Sequence, residues 1–161
     1  MIPQTGHWFW QPVWLLDSEQ ILYTFGEREP TGLYFDNLWI VDVETRVARA
    51  VTSQSVATSF ALDPVDGEWV VFAGHFTYAE ASYGDDLWLA SVKSGQLSRL
   101  TKDKTSIRRP MWSPDGTQIV FQRAEEGIWT LDLNDGRIEQ VYPGESGRYD
   151  FDTAILGGRA Q

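Results

Sequence analysis

One short pattern occurs three times along the chain and constrains the fold more than any other feature. Each copy places an aliphatic residue and a tryptophan at the start of an apolar run, and the copies are Leu38–Val43, Leu87–Val92 and Ile128–Leu133. Their first residues, at positions 38, 87 and 128, lie 49 and 41 residues apart. A period of this length predicts a repeat architecture in which each repeat is one supersecondary unit.

Each repeat predicts four short strands, most clearly in the third copy. There Asp115-Gly116 predicts a tight turn, because glycine tolerates a positive φ, and β-branched and aromatic residues predict the flanking strands. The predicted strands of this copy are Arg109–Pro114, Gln118–Phe121, Ile128–Leu133 and Ile138–Tyr142. The sequence therefore predicts one all-β domain with antiparallel four-stranded units at about 8–52, 57–101 and 107–142.

Residues 143–161 follow the third unit. Phe151 lies nine residues after Tyr142, a spacing similar to those that precede the first strands of the second and third units. The tail is therefore predicted to add an extra C-terminal strand. A short helical turn that begins at Asp152 and ends at Gly157-Gly158 is the alternative.

Four-stranded units of 41 to 49 residues are typical of β-propeller blades. Residues Pro110–Phe121 resemble the P-x-W-S-P-D-G-x-x-I-x-F blade motif of TolB-like propellers, and the resemblance covers about residues 8–142 more weakly. It implies a six- or seven-bladed ring that serves as a platform for a protein or small ligand, periplasmic in the bacterial TolB proteins. Related blades form the gating propeller of prolyl-oligopeptidase-type enzymes and the body of some pectin-fragment lyases.

Composition limits the classes of function. The chain has 161 residues, of which 42% are apolar, so it can bury a core. A formal charge of -10 argues against a nucleic-acid binder, which normally presents a basic face. No apolar run approaches the ~18 residues of a membrane-spanning helix. Residues Met1–Trp10 lack the features of a signal peptide, which makes the cytoplasm the default expectation.

No motif predicts catalysis, a metal site or a cofactor. Cysteine is absent, and His7 and His75 are the only histidines, which is few for a zinc site. Ser146 lacks the G-x-S-x-G spacing of a hydrolase nucleophile. Asp132–Gly136 departs from the spacing of a calcium loop and predicts a hairpin turn. We therefore expect a protein that is not an enzyme and binds no cofactor.

The connections between the second and third strands of the units vary most in length, and in repeat proteins such variation often marks a binding face. These connections share an end of a propeller with the connections between blades. Aromatic residues and arginine are typical of protein-binding surfaces. The predicted binding residues are Glu27, Arg28, Tyr34, Asp36, His75, Tyr78, Glu80, Tyr83, Asp85, Asp86, Arg108 and Arg109.

Three blades are too few to close a ring, because propellers normally have four to eight. The two outer faces, expected to be rich in Trp, Val and Ile, would drive association. We expect two chains to associate head-to-tail as a six-bladed homodimer; a fragment of a longer protein is the alternative. Strand alternation would place three N-terminal tryptophans on one side of a strand, although Pro12 interrupts the register. The predicted interface residues are Trp8, Trp10, Trp14, Tyr149, Phe151 and Ile155.

These observations favour a non-enzymatic binding or scaffold module for a protein or small ligand. The alternative is the propeller portion of a peptidase or a carbohydrate-active enzyme, in which the aromatic N-terminal cluster would stack on sugars.

Overall fold

The computed structural model describes residues 8–28, 34–76, 84–102 and 105–144, which form twelve strands and no helix. Among them, no helix has the length and apolarity that crossing a lipid bilayer requires. Residues 145–161, to which the predicted extra strand belongs, lie outside the described residues. The strands are β1 Trp8–Trp14, β2 Gln20–Arg28, β3 Tyr34–Asp42, β4 Ala48–Ala50, β5 Val56–Leu62, β6 Trp69–His75, β7 Asp86–Ser91, β8 Leu97–Arg99, β9 Ile107–Trp112, β10 Gln118–Arg123, β11 Gly127–Asp132 and β12 Ile138–Pro143.

The described strands form three consecutive units of four, which we call blade 1 (β1–β4), blade 2 (β5–β8) and blade 3 (β9–β12). Every pairing within a blade is antiparallel. One parallel bridge, between Asp36 and Val56, joins β3 of blade 1 to β5 of blade 2. This bridge brings the start of the third strand of blade 1 next to the innermost strand of blade 2.

The turn between the first two strands of each blade is encoded locally. In blade 3, Asp115 accepts hydrogen bonds from the hydroxyl of Ser113 at 2.6 Å and from the amide of Thr117 at 3.1 Å. These hydrogen bonds stabilise the carboxylate and lower its pKa to about 2. Gly116 adopts a φ of 71°, as a glycine in this turn was predicted to do, whereas Ser18 of blade 1 adopts a φ of 59° without that freedom.

Both faces of blade 2 are buried because successive side chains on a strand point to opposite sides. We call the side of a blade that points to the next blade in the chain its forward face and the other side its backward face. Two buried clusters fill the spaces between blades. The first contains Leu22, Leu38, Ile40, Val70, Phe72 and Ala90, and the second contains Val71, Ala73, Leu87, Ile119, Phe121 and Leu131.

The prediction that Trp8, Trp10 and Trp14 share one side of a strand is wrong. Strand β1 carries a bulge between Trp10 and Val13, where Gln11 adopts a φ of 49°. The extra residue reverses the alternation, so that Trp8 and Trp10 lie on the forward face and Trp14 on the backward face. Arg109 occupies the equivalent bulge of blade 3, with a φ of 51°.

Candidate functional site

The end of the blades that carries the connections between second and third strands brings several predicted binding residues together; we call it the loop end. Arg28 pairs with Tyr34 at the loop end of blade 1, and His75 pairs with Val56 at the loop end of blade 2. The parallel bridge between Asp36 and Val56 makes these two groups neighbours. Of the predicted binding residues, Tyr78, Glu80 and Tyr83 lie outside the described residues.

In blade 1 a tyrosine links a tryptophan to a carboxylate. The indole N–H of Trp8 donates to the hydroxyl of Tyr34, which donates to Oδ1 of Asp36 at 2.5 Å. Burial and the hydrogen bond to Asp36 raise the pKa of Tyr34 to about 12. Burial also raises the pKa of Asp36, although its hydrogen bond to Tyr34 opposes that shift.

Gly26 provides the room that this aromatic cluster needs. A Cβ at this position would lie 2.7 Å from the hydroxyl oxygen of Tyr34 and 2.8 Å from the Trp8 side chain. Gly26 pairs with Trp8 on one side and with Asp36 on the other, so its bare backbone forms the floor of the cluster. The sequence analysis missed Gly26 because its role depends on contacts with two neighbouring strands.

In blade 2 a histidine takes the place of the aromatic cluster. The Nδ1 atom of His75 lies 2.7 Å from Oδ1 of Asp85, and both side chains are 14% exposed. The hydroxyl of Thr58, which the sequence analysis did not select, donates to Oδ2 of Asp85 at 3.0 Å. The backbone of Asp85 in turn accepts a hydrogen bond from Ile107 of blade 3. This group therefore connects three strands of blade 2 to the next blade.

The neighbouring acid, Asp86, does not belong to the exposed part of the loop end. It is only 5% exposed, forms an ion pair with Arg99 and accepts a hydrogen bond from Thr101 at 2.9 Å. Its role in the described structure is to fasten strand β7 to the end of the same blade. Adjacent residues of a strand point to opposite faces, which separates the surroundings of Asp85 and Asp86.

The predicted arginines of blade 3 are exposed beside this region. Arg108 and Arg109 lie at the bulge of the innermost strand β9, and the amide of Arg109 donates to the hydroxyl of Ser59 at 3.0 Å. At the edge of blade 1, Glu27 is half-buried and Arg28 is exposed. The structure therefore assembles charged and aromatic side chains of all three blades at one end.

A comparison among the blades identifies one acid that differs from the others. Asp36, Asp85 and Glu126 occupy the same position, two residues before Leu38, Leu87 and Ile128. Asp85 has His75 as its partner, and Glu126 has Arg123, with 3.8 Å between their charged atoms. Within the described residues, Asp36 makes no ion pair.

The backward face of blade 1 and the forward face of blade 3 have no neighbouring blade among the described residues. On the first, Phe9 contacts Phe25 at a ring-centroid distance of 5.2 Å, and Phe25 contacts Trp39 edge-on at 5.7 Å. Trp14 lies on the same face and is 57% exposed. The expectation that both outer faces are rich in Trp, Val and Ile is wrong for blade 3. Its forward face mixes apolar and polar residues: Met111, Val120, Ile128, Tyr142, Gln118, Gln122 and Thr130.

No group of three histidine, cysteine or acidic side chains could hold a metal ion within the described part of the chain.

The sequence matches no known family model and no curated protein. Many solved structures resemble the chain in fold, among them the following three. TolB from Acinetobacter baumannii has a TM-score of 0.63 at 17% identity, over 82% of this chain and 31% of that one. The β-propeller domain of the Trilobed protease from Pyrococcus furiosus has a TM-score of 0.62 at 16% identity, over 83% and 41%. An oligogalacturonate lyase in complex with manganese has a TM-score of 0.65 at 18% identity, over 84% and 36%.

The resemblance that the blade motif predicted is confirmed: the chain has a TolB-like β-propeller fold. It spans less than half the length of each of these three structures. The similar proteins include a TolB, peptidases and lyases, so the shared element is the propeller module.

Proposed function

We propose that this chain is a non-enzymatic binding module whose ring is completed by a second copy of itself, with a protein partner bound at the loop end. The observation that carries ring closure is the exposed Trp14 on an aromatic face that has no neighbouring blade among the described residues. A ring of six blades lies within the usual range for propellers. Head-to-tail association of two copies would make two identical interfaces and leave neither outer face open.

The interface between blades 2 and 3 is an internal template for that contact. Trp112 in blade 3 is equivalent to Trp14 in blade 1. Each tryptophan pairs with the first apolar residue of the second strand of its blade: Trp112 with Ile119, and Trp14 with Ile21. The indole of Trp112 packs on blade 2 and donates to the carbonyl of Ala61 at 3.0 Å. In a closed ring, Trp14 would make the same contact with the backbone of Met111 in the second copy.

The forward face of blade 3 supports this pairing. Met111, Val120 and Ile128 offer apolar contacts for the rings of blade 1.

Solution mass tests ring closure directly. Sedimentation equilibrium or light scattering should give twice the chain mass of 18.3 kDa. A folded monomer at micromolar concentration would contradict closure by a second copy. It would favour the alternative in which further blades of a longer protein cover the two faces.

A second candidate function is the propeller portion of a peptidase or carbohydrate-active enzyme, and the solved structures of such proteins with the same fold favour it. Turnover assays on peptide and oligogalacturonate substrates separate the two functions. The binding module predicts no turnover by this chain and saturable capture of a protein partner, which substitutions at the loop end weaken.

A further inference from the structure

The acid at the start of the third strand has a basic partner in two blades and none among the described residues in the first. In blade 2 the partner is His75, and in blade 3 it is Arg123. In blade 1 the residue that corresponds to His75 by register is Gly26, which pairs with Asp36 as His75 faces Asp85. Blade 1 thus keeps the carboxylate, but the Tyr34 hydroxyl and the Trp8 indole occupy the place of the neighbouring side chain, 2.7 and 2.8 Å from where a Cβ of Gly26 would lie.

Aromatic rings therefore border the carboxylate of Asp36 on this side. Trp8 and Tyr34 lie with ring centroids 5.6 Å apart at an angle of 31°, and Trp8 is 42% exposed. Trp10 on the same face of strand β1 is 57% exposed. Two indoles and a phenol therefore border a half-buried carboxylate. Aromatic faces attract an ammonium or guanidinium group, most strongly where a carboxylate is near and water is partly excluded.

Only one carboxylate oxygen of Asp36 is used within the described structure. Oδ1 accepts the hydrogen bond of Tyr34, and Oδ2 makes no hydrogen bond to any described residue. Because the indole N–H of Trp8 donates to the Tyr34 hydroxyl, the tyrosine directs its own proton to Oδ1 of Asp36. The arrangement leaves Oδ2 available to accept a hydrogen bond from a charged donor.

We propose that Trp8, Trp10, Tyr34 and Asp36 form a pocket for one cationic side chain, a lysine or an arginine, presented by the protein partner. This inference rests on the proposed binding role of the loop end and names the chemistry that the partner must carry there. The formal charge of -10 on the chain favours the approach of a basic partner. The ligand would give Asp36 a basic neighbour, as His75 gives Asp85 and Arg123 gives Glu126.

The test uses blocked pentapeptides in which the central residue is lysine, arginine or norleucine, the last as a matched uncharged probe. Binding is followed by calorimetry and by tryptophan fluorescence, and a neutral oligosaccharide, cellotetraose, is titrated in parallel. Asp36→Asn removes the charge while its amide oxygen can still accept from Tyr34. Glu126→Gln is the control, because it makes the same change at the equivalent position where Arg123 is already present.

The native chain should bind the lysine and arginine peptides and not the norleucine peptide. Asp36→Asn should weaken binding at least about tenfold, equal to about 1.4 kcal/mol, while Glu126→Gln leaves it unchanged. Added salt should weaken the native interaction. If Asp36→Asn does not fold, Trp10→Leu tests the same pocket, since Trp10 is largely exposed and contributes its ring face.

Equal binding of the norleucine peptide, equal losses in Asp36→Asn and Glu126→Gln, or binding of cellotetraose alone would overturn the inference. The last of these would assign the pocket to carbohydrate. The mass of each sample is measured in the same buffer. A dimer that binds none of the three peptides would contradict the cationic pocket and support ring closure. A monomer that binds the lysine peptide would support the pocket and contradict ring closure.

Discussion

Replacement of Trp14 by alanine should separate two copies of the chain without unfolding either. Trp14 is 57% exposed in the single chain, which for a tryptophan leaves about 140 Å² of side chain in water. If ring closure buries about 100 Å² of it, as the packing of Trp112 indicates, each contact contributes about 2.5 kcal/mol at ~25 cal/mol per Å². A closed ring contains the contact twice, so the dimer should lose about 5 kcal/mol, or more than about a thousandfold in Kd.

The assay is sedimentation of the native chain and three variants across a range of concentrations. Trp10→Ala is the matched control, because Trp10 is equally exposed and lies on the same strand but on the opposite face. It should leave the dimer intact. Trp112→Ala should instead lower the free energy of unfolding by about 3 kcal/mol, since it removes the equivalent contact inside the chain.

Three results would refute this reasoning. The native chain could sediment as a folded monomer, or Trp14→Ala could remain dimeric at the native Kd. Trp10→Ala could also dissociate the dimer as strongly as Trp14→Ala, which would mean that the bulge of strand β1 does not decide which tryptophan faces the second copy.

Three further outcomes are expected. Asp86→Ala should lower the free energy of unfolding in urea by about 3 kcal/mol because it removes a buried carboxylate that pairs with Arg99 and accepts from Thr101. Glu68→Ala, which breaks an exposed pair, should change it by less than about 1 kcal/mol. The hydrogen bonds to Asp115 hold its pKa at about 2, below the ordinary value of an aspartate. The ionised carboxylate therefore stabilises the fold at any pH above that ordinary pKa, and this stabilisation is lost as the pH falls through about 2. The urea midpoints of Asp115→Ala and the native chain should differ most near neutral pH and converge at low pH. Asp36→Asn should lower the pKa of Tyr34 from about 12, because a neutral amide no longer favours the protonated phenol. Absorbance titration of tyrosinate measures the change. An unchanged pKa would show that burial alone raises the pKa of Tyr34.

Much of the fold could be predicted because the signals are local. Aspartate-glycine turns, β-branched strands and the repeated tryptophan depend on neighbours within a few residues. Trp39, Trp88 and Trp129 all lie on the backward faces of their blades, as one position of a common repeat must. The period of the repeat was therefore enough to predict the propeller fold, although the sequence identity to the three solved structures named above is below 20%.

The candidate site could be predicted only in part, because its members are distinguished by register and not by residue type. Asp85 and Asp86 are identical side chains one residue apart, yet one bonds to His75 at the loop end and the other is enclosed with Arg99. The composition of the loop led to the prediction that both aspartates are binding residues. The sequence does not show at which residue strand β7 begins to pair with its neighbour. That register decides which face of the blade each aspartate side chain lies on.

The sequence by itself determined the number of repeats, the strand order within each and the end of the blades that carries the most variable connections, since all three follow from periodicity and turn residues. Only the tertiary structure decided that a single bulge at Gln11 turns Trp14 to the open face, that Gly26 leaves room for the Trp8 indole and the Tyr34 hydroxyl, and that Asp36 is the acid without a basic neighbour in the described chain. The physical reason is that periodicity is a property of one strand, whereas a bulge, a space and an unpaired charge are defined by the strands on either side.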